Sequence, residues 1–353
     1  MESDASKKHK ISPQLVRIII FVGLSALTIG LVLYFTVNRQ TITALKKFDL
    51  GYMLVLLGIW AVAFSMDAAS FILYTRGTDA HLSVVASFKA AAYRIFFNLI
   101  TPFSFGGQPF VIYYLQKEGV PPGKGSSIVM VKLIIISGWV LAGAAAGFIF
   151  FHNHITKVTA LNTLFLVTGI LQVVFIALII VGLSKPRIMV KIITAIGDIF
   201  GRFHLVKNKG RLRHQIIHEA YLAKKSFQAY FRGHFLSFAL GTLAIGIMYC
   251  VEVVTLWVIF LGLGVDLPFA TGIAIGALLL FLLPVLPTPG AAGLGEALFI
   301  LLFAGLVPYY LLGIAVVLWR FFYNYLTAMT GAIFSSRLFS KIIVKTERRG
   351  EHA

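Results

Sequence analysis

Long apolar runs separated by short polar stretches dominate this chain. They predict membrane-crossing helices near 15–37, 51–75, 126–151, 159–183, 236–262 and 308–335. Each is longer than the roughly 18 residues that a bilayer crossing needs. Two further apolar stretches, 84–116 and 268–306, are interrupted by glycine and proline. The first contains Asn98-Leu-Ile-Thr-Pro102-Phe-Ser-Phe-Gly106-Gly107-Gln108-Pro109. The second contains Pro284-Val-Leu-Pro287-Thr-Pro289-Gly290-Ala-Ala-Gly293-Leu-Gly295-Glu296. Broken backbone within a membrane leaves N–H and C=O groups that lipid cannot satisfy, so it survives only against protein or a watery cavity. Paired breaks in corresponding positions of two halves are the best sequence pointer to a transporter's central site. The expected fold is an all-α polytopic membrane protein, with about six full spans and two broken re-entrant hairpins. It is read as one membrane domain over 1–353: a first half 1–184, a basic amphipathic linker 185–235, and a second half 236–353.

Charge tests this topology. With the N-terminus inside and each broken stretch returning to its side of entry, most Lys and Arg fall in the cytoplasm. Only Arg39, Lys46, Lys47 and Lys157 lie outside, while Lys89, Arg94, Lys132 and Arg320 lie within apolar segments. That asymmetry is the positive-inside pattern. Both termini are then cytoplasmic. The hairpins enter from opposite faces, 84–116 from the cytoplasm and 268–306 from outside, as an inverted repeat would place them. The N-terminal Lys7, Lys8, Lys10 and Arg17 precede an apolar stretch that is longer than a signal-peptide core and lacks a small-x-small cleavage site, so it reads as a retained helix.

Composition agrees. Hydrophobic residues make up 59% and charged residues 12%, which excludes an ordinary soluble domain. The net charge of +18 would suggest nucleic acid in a soluble protein, but here the basic cytoplasmic loops account for it. A single cysteine, Cys250, excludes an intrachain disulfide and a thiolate zinc cluster. No phosphate-binding G-x-x-x-x-G-K-[ST] motif and no D-x-x-D-G aspartate cluster occur. His152 and His154 fall in an expected external loop and read as solvated. No catalytic residue, metal site or cofactor is indicated. The linker predicts two surface helices, with Ile188, Ile192, Ile196 and Ile199 on one strip and Leu212, Ile216 and Phe227 on another. Basic residues beside such strips suit a headgroup layer, either as an anchor or as a lipid-gathering surface.

Ionisable residues within spans are costly, at roughly 2.5 to 3.5 kcal/mol each for a central Arg, Lys or Asp. This chain keeps Asp67, Lys89, Arg94, Lys132, Glu252, Glu296 and Arg320 in or near apolar segments. They read either as structural ion pairs or as a polar path, with Asp67, Lys132 and Glu252 as pairing or gating groups. Arg94, Asn98 and Thr101 fall on one helical stripe leading into Gly106, Gly107 and Gln108. Free N–H groups at this glycine pair, with Arg94 nearby, would suit a phosphate; tight packing through small residues is the plainer alternative. After the second break, Gly290 and Gly293 precede Glu296 at a helix start, where the dipole favours a carboxylate. Glu296 is expected to meet a cationic headgroup or to pair with Arg320. Arg320, Tyr323, Asn324 and Thr327 share one face of the last span.

These motifs resemble the transmembrane flippase domain of the lysylphosphatidylglycerol synthase family, over nearly the whole chain. The resemblance rests on Asn98…Pro102…Gly106-Gly107-x-Pro109 and on Pro287-x-Pro289-Gly290-x-x-Gly293-x-x-Glu296, followed by Arg320…Tyr323…Gly331. Gln108 stands where many members have Glu, Ala291 where many have Gly, and Lys132 where many have an acidic–Arg pair. The resemblance implies a bacterial plasma-membrane protein that moves phosphatidylglycerol or its lysylated form between leaflets, with a link to cationic antimicrobial peptide resistance. Full-length synthases carry a soluble lysyl-tRNA-dependent domain; the sequence ends at Ala353 without one, so synthesis by this chain alone is not expected. The implied partners are an anionic or aminoacylated phospholipid and the membrane, without nucleic acid, and a separate lipid synthase or a second copy of the chain. Two other classes stay open: a metal-independent lipid-modifying transferase and a non-transporting partner of a synthase.

Overall fold

The computed structural model describes residues 43, 48–104, 106–155, 159–188, 190–191 and 209–334. The expected first span, 15–37, lies outside them, as do the first linker strip beyond Lys191, Lys157 and the basic tail. Among the described residues five helices are long and apolar enough to cross a membrane. They are α1 (Leu50–Arg76), α4 (Pro122–Ile155), α5 (Thr159–Ser184), α7 (Phe235–Gly262) and the last, Tyr309–Phe334, which begins as α10 (Tyr309–Arg320). Both interrupted stretches fold as helix–break–helix units. α2 (Val84–Leu99) and α3 (Gly107–Lys117) flank a tight turn at Pro102–Ser104. α8 (Phe269–Leu282) and α9 (Leu294–Phe303) flank two tight turns, Leu283–Val285 and Pro289–Ala291. The amphipathic α6 (Lys209–Arg232) supplies the second expected linker helix. The protein is therefore an all-α polytopic membrane protein.

Helix starts follow local chemistry. Asp49 caps α1 by accepting from the Gly51 N–H at 2.9 Å, and Ser83 caps α2 by accepting from the Ala86 N–H at 3.2 Å. Pro268 and Pro308 precede α8 and α10, where a missing donor costs nothing. One boundary differs from expectation: α4 continues through Ile155, so His152 and His154 stand on the end of a helix rather than in a loop.

α7 lies along α1, and α4 packs against α6 and α8. Two apolar cores result. One surrounds the second hairpin with Leu278, Phe281, Phe299, Phe303 and Trp319. The other surrounds the first with Ala90, Tyr93, Val111 and Tyr114. α7 feeds both, through Val253 and Leu256 on one side and Ile245 and Met248 on the other. α5 instead exposes Leu166, Ile170, Val173 and Leu178, a lipid-facing surface in a span this apolar. The two breaks pack against each other, so the irregular backbone of both hairpins meets inside protein.

Lipid tails are as apolar as leucine, so close packing replaces the hydrophobic effect between spans. Gly331 shows the consequence: a Cβ there would lie 2.6 Å from the Ala92 carbonyl oxygen. Gly331→Ala should therefore destabilise the fold by about 1–3 kcal/mol through overpacking. Thermal unfolding in detergent would report it as a lowered midpoint, while Gly58→Ala, with nothing within 4 Å of the added Cβ and a gain in helix propensity, should not lower the midpoint.

Candidate functional site

The first break is tied from within its own hairpin. The Thr101 hydroxyl donates to the Phe97 carbonyl at 2.8 Å and accepts from the Gly106 N–H at 2.9 Å. The Asn98 side-chain oxygen accepts from the Gly107 N–H at 2.9 Å. Gly107 is obligatory because a Cβ would sit 2.2 Å from the Arg94 carbonyl oxygen. Phe103 and Ser104 both take φ 55°, so the turn is strained as well as tight. The expected open N–H groups at Gly106 and Gly107 are thus already taken. The reason is that Asn98 and Thr101, on the same stripe, reach them first.

The second break is tied from outside. Arg320, 2% exposed, donates from one terminal nitrogen to the Gly290 carbonyl and from the other to the Ala291 carbonyl, both at 2.9 Å. Its Nε pairs with Glu296 Oε1 at 2.8 Å. Glu296 Oε2 accepts from the Gly293 N–H at 2.7 Å and closes the start of α9. Gly290, Ala291 and Gly293 have φ of 56°, 55° and 83°. Ala291 thus holds the left-handed conformation where glycine would be strain-free, and the Arg320 clamp over-determines it. The expected pairing of Glu296 with Arg320 is present. A cationic headgroup does not reach Glu296 in this conformation, because its carboxylate is wholly buried and does not border the cavity described below.

A second charge group lies deeper in the first half. Asp67 Oδ2 accepts from an Arg94 terminal nitrogen at 2.9 Å, and Asp67 Oδ1 contacts Lys132 directly. Lys132 also donates to Ser70 Oγ at 2.7 Å and to the Asp67 carbonyl at 3.0 Å, and its ammonium lies 3.6 Å from the centre of the Phe71 ring. Lys132 is therefore spent on Asp67, Ser70 and Phe71. Arg94 is not: its Nε has no hydrogen-bond partner among the described residues.

Between the breaks lies a cavity of about 470 Å³. Arg94, Asn98, Gln108, Glu252, Tyr323 and Asn324 supply its polar lining, with the edges of Gly290 and Arg320. Leu99, Leu133, Ile136, Val140, Phe175 and Leu280 supply apolar wall. Thr101, Gly106, Gly107, Gly293, Glu296, Asp67 and Lys132 do not border it; they hold the residues that do. The span after Arg320 passes through a π-turn at Phe321–Tyr325, which brings Tyr323 and Asn324 together on the cavity. Thr327 turns away and accepts from the Trp60 indole N–H at 2.8 Å. Gln172, Ser137 and Tyr249 also line the cavity and were not singled out from sequence. Gln172 carried a usable signal, a lone amide inside an apolar span. Its amide nitrogen donates to the Phe281 carbonyl at 3.2 Å and its oxygen has no hydrogen-bond partner among the described residues.

Breaking one member of a buried ion pair strands the other charge, at about 3–5 kcal/mol. Glu296→Gln and Arg320→Gln should each lower stability by that order in detergent unfolding. The double variant should lose little beyond the worse single, since the two act as one unit. Additive losses would show that the pair is not coupled.

No curated protein matches the chain. A family model for the lysylphosphatidylglycerol synthase TM region matches residues 14–331, nearly the whole of the sequence whose motifs form the two breaks and the cavity between them. The chain belongs to the lysylphosphatidylglycerol synthase transmembrane-region family.

Proposed function

We propose that the protein is a phospholipid translocase for phosphatidylglycerol or lysyl-phosphatidylglycerol in a bacterial plasma membrane. The observation that carries this reading is the cavity between the two breaks, polar at Arg94, Asn98, Gln108 and Asn324 and apolar along its walls. Its volume falls within the roughly 300–1,000 Å³ of small-molecule sites. That division of surface suits a headgroup in the cavity with acyl chains left in lipid. Arg94 is the phosphate-binding group in this reading, because its Nε is without a hydrogen bond among the described residues and a guanidinium suits an oxyanion bidentately. Arg320 is a positioning residue that shapes the cavity wall by clamping Gly290 and Ala291. Asn98 acts likewise on the first break.

The hairpins of this translocase enter from opposite membrane faces, with both termini cytoplasmic. Movement of one hairpin against the other then exposes the cavity to each leaflet in turn. Resistance to cationic antimicrobial peptides follows if the outward lipid is lysylated, since a cationic outer leaflet repels cationic peptides. A separate synthase supplies that lipid in this scheme.

Translocation in proteoliposomes tests the reading. Native protein should expose fluorescent phosphatidylglycerol or lysyl-phosphatidylglycerol to an external quencher faster than protein-free vesicles. Arg94→Gln should slow the transfer at least tenfold, a loss of about 1.4 kcal/mol or more in the limiting step. Folded native protein that moves neither lipid would overturn the proposal. Cysteines at Phe103 and Pro287 test the topology; labelling of both from one face only would rule out opposed hairpins.

A further inference from the structure

Arg94, Glu252 and Tyr323 border two cavities at once. One is the large cavity between the breaks. The other is a small space of about 20 Å³ between α1, α2, α7 and the π-turn, walled by Trp60, Phe64 and Thr327. That space is enough for one water, which needs about 10–15 Å³. Asp67 lies on the small side only, and Asn98 and Gln108 on the large side only. A constriction of ionisable side chains therefore separates a headgroup-sized cavity from a water-sized one.

Glu252 is the one member of this group whose carboxylate is left without a hydrogen bond or ion pair among the described residues. Asp67 holds both Arg94 and Lys132, and Glu296 holds Arg320. Glu252 instead interacts with Arg94 electrostatically, beyond ion-pair contact. The elements around it contribute Asp67 from α1, Arg94 from α2, Lys132 from α4, Tyr249 from α7 itself, Tyr323 from the π-turn, and Arg320 from α10, whose charge is balanced by Glu296. α8, also packed on α7, carries no ionisable side chain. With Asp67, Arg94, Lys132 and Glu252 all ionised, the cluster is neutral. An anion arriving at Arg94 leaves it one negative charge in excess, in a site where uncompensated charge is costly.

We propose that Glu252 takes up a proton when a phosphodiester anion binds Arg94, so that the lipid headgroup and the proton occupy the site together. This rests on the translocase reading and adds the coupled ion. The step is a protonation only: the carboxylate accepts one solvent proton and becomes a neutral carboxyl, and the proton returns to solvent when the anion leaves. A singly charged headgroup plus one proton adds no net charge. Transfer of that lipid therefore responds to a pH difference across the membrane and not to the membrane potential. Arg94 binds the anion, and Glu252 balances it.

Titration calorimetry of the full chain in an uncharged detergent tests the linkage. Dioctanoyl-phosphatidylglycerol is titrated in buffers of different ionisation enthalpy, across about pH 6 to 10, and uptake is read at its alkaline end, where a free carboxylate is available to be protonated. The native protein should take up as much as about one proton per bound lipid. Glu252→Gln should still bind the lipid but take up none, with affinity that no longer depends on pH. Glu252→Asp, which keeps the titrating group, should restore uptake and shows that loss in the Gln variant is not misfolding. Inorganic phosphate is the parallel probe, read as the difference in uptake between native protein and Glu252→Gln because phosphate itself titrates in this range; such a difference at equal affinity would keep the linkage but reassign the anion to free phosphate. Lipid binding by native protein without proton uptake overturns the coupling alone and leaves the translocase reading intact. Failure of native protein to bind either anion overturns both.

Discussion

Backbone that is not helical cannot face lipid, and the rest of this structure follows from how two such breaks are satisfied. The breaks are placed against each other, so that neither meets the bilayer. They are then tied in different ways. Neutral side chains one turn away hold the first: Asn98 and Thr101 accept from the Gly107 and Gly106 N–H groups. A charge from another helix holds the second, as Arg320 spans the carbonyls of Gly290 and Ala291 while Glu296 neutralises it. The first tie is local and survives motion of the hairpin as a unit. The second links the hairpin to the last span, so any movement of that hairpin must carry α10 or break a buried pair.

The same economy explains how the intramembrane charges divide. Arg320 has its donors on three protein acceptors, and Lys132 is enclosed by Asp67, Ser70 and Phe71. Their cost is offset where they lie, and they act on structure. Among the described residues, Arg94 shares Asp67 with Lys132 and retains a nitrogen without a hydrogen bond, while the Glu252 carboxylate makes no hydrogen bond or ion pair. Incomplete satisfaction is expensive in a low-dielectric interior and is found at sites that bind or switch. These two oppositely charged groups border the same cavity, which is why the functional proposals converge on them.

Most of the architecture was legible in the sequence, because a membrane leaves few choices. Length and hydropathy alone located the five described spans to within a few residues, and proline–glycine clusters located both hairpins. The pairing of Glu296 with Arg320 was also legible, since two opposite charges deep in apolar sequence have few other partners. Boundaries that depend on weak signals were less so. α4 runs past His152 and His154 because a polar pair does not end a helix without a breaking residue.

Local sequence thus determined which segments cross, where they break and which residue types must be sheltered. It could not determine which donors remain free. Gly106 and Gly107 read as open phosphate ligands until the chain folds back and Asn98 and Thr101 occupy their N–H groups. Glu296 read as either a headgroup contact or a partner of Arg320, and the enclosure by α9 and the last span left it the second. Gln172 and Tyr249 joined the cavity only because α5 and α7 turn those faces toward it, and a π-turn set Tyr323 and Asn324 beside them. Hydrogen-bond capacity is a property of a residue, but whether it is already spent depends on neighbours distant in sequence. Only the tertiary structure supplies those neighbours.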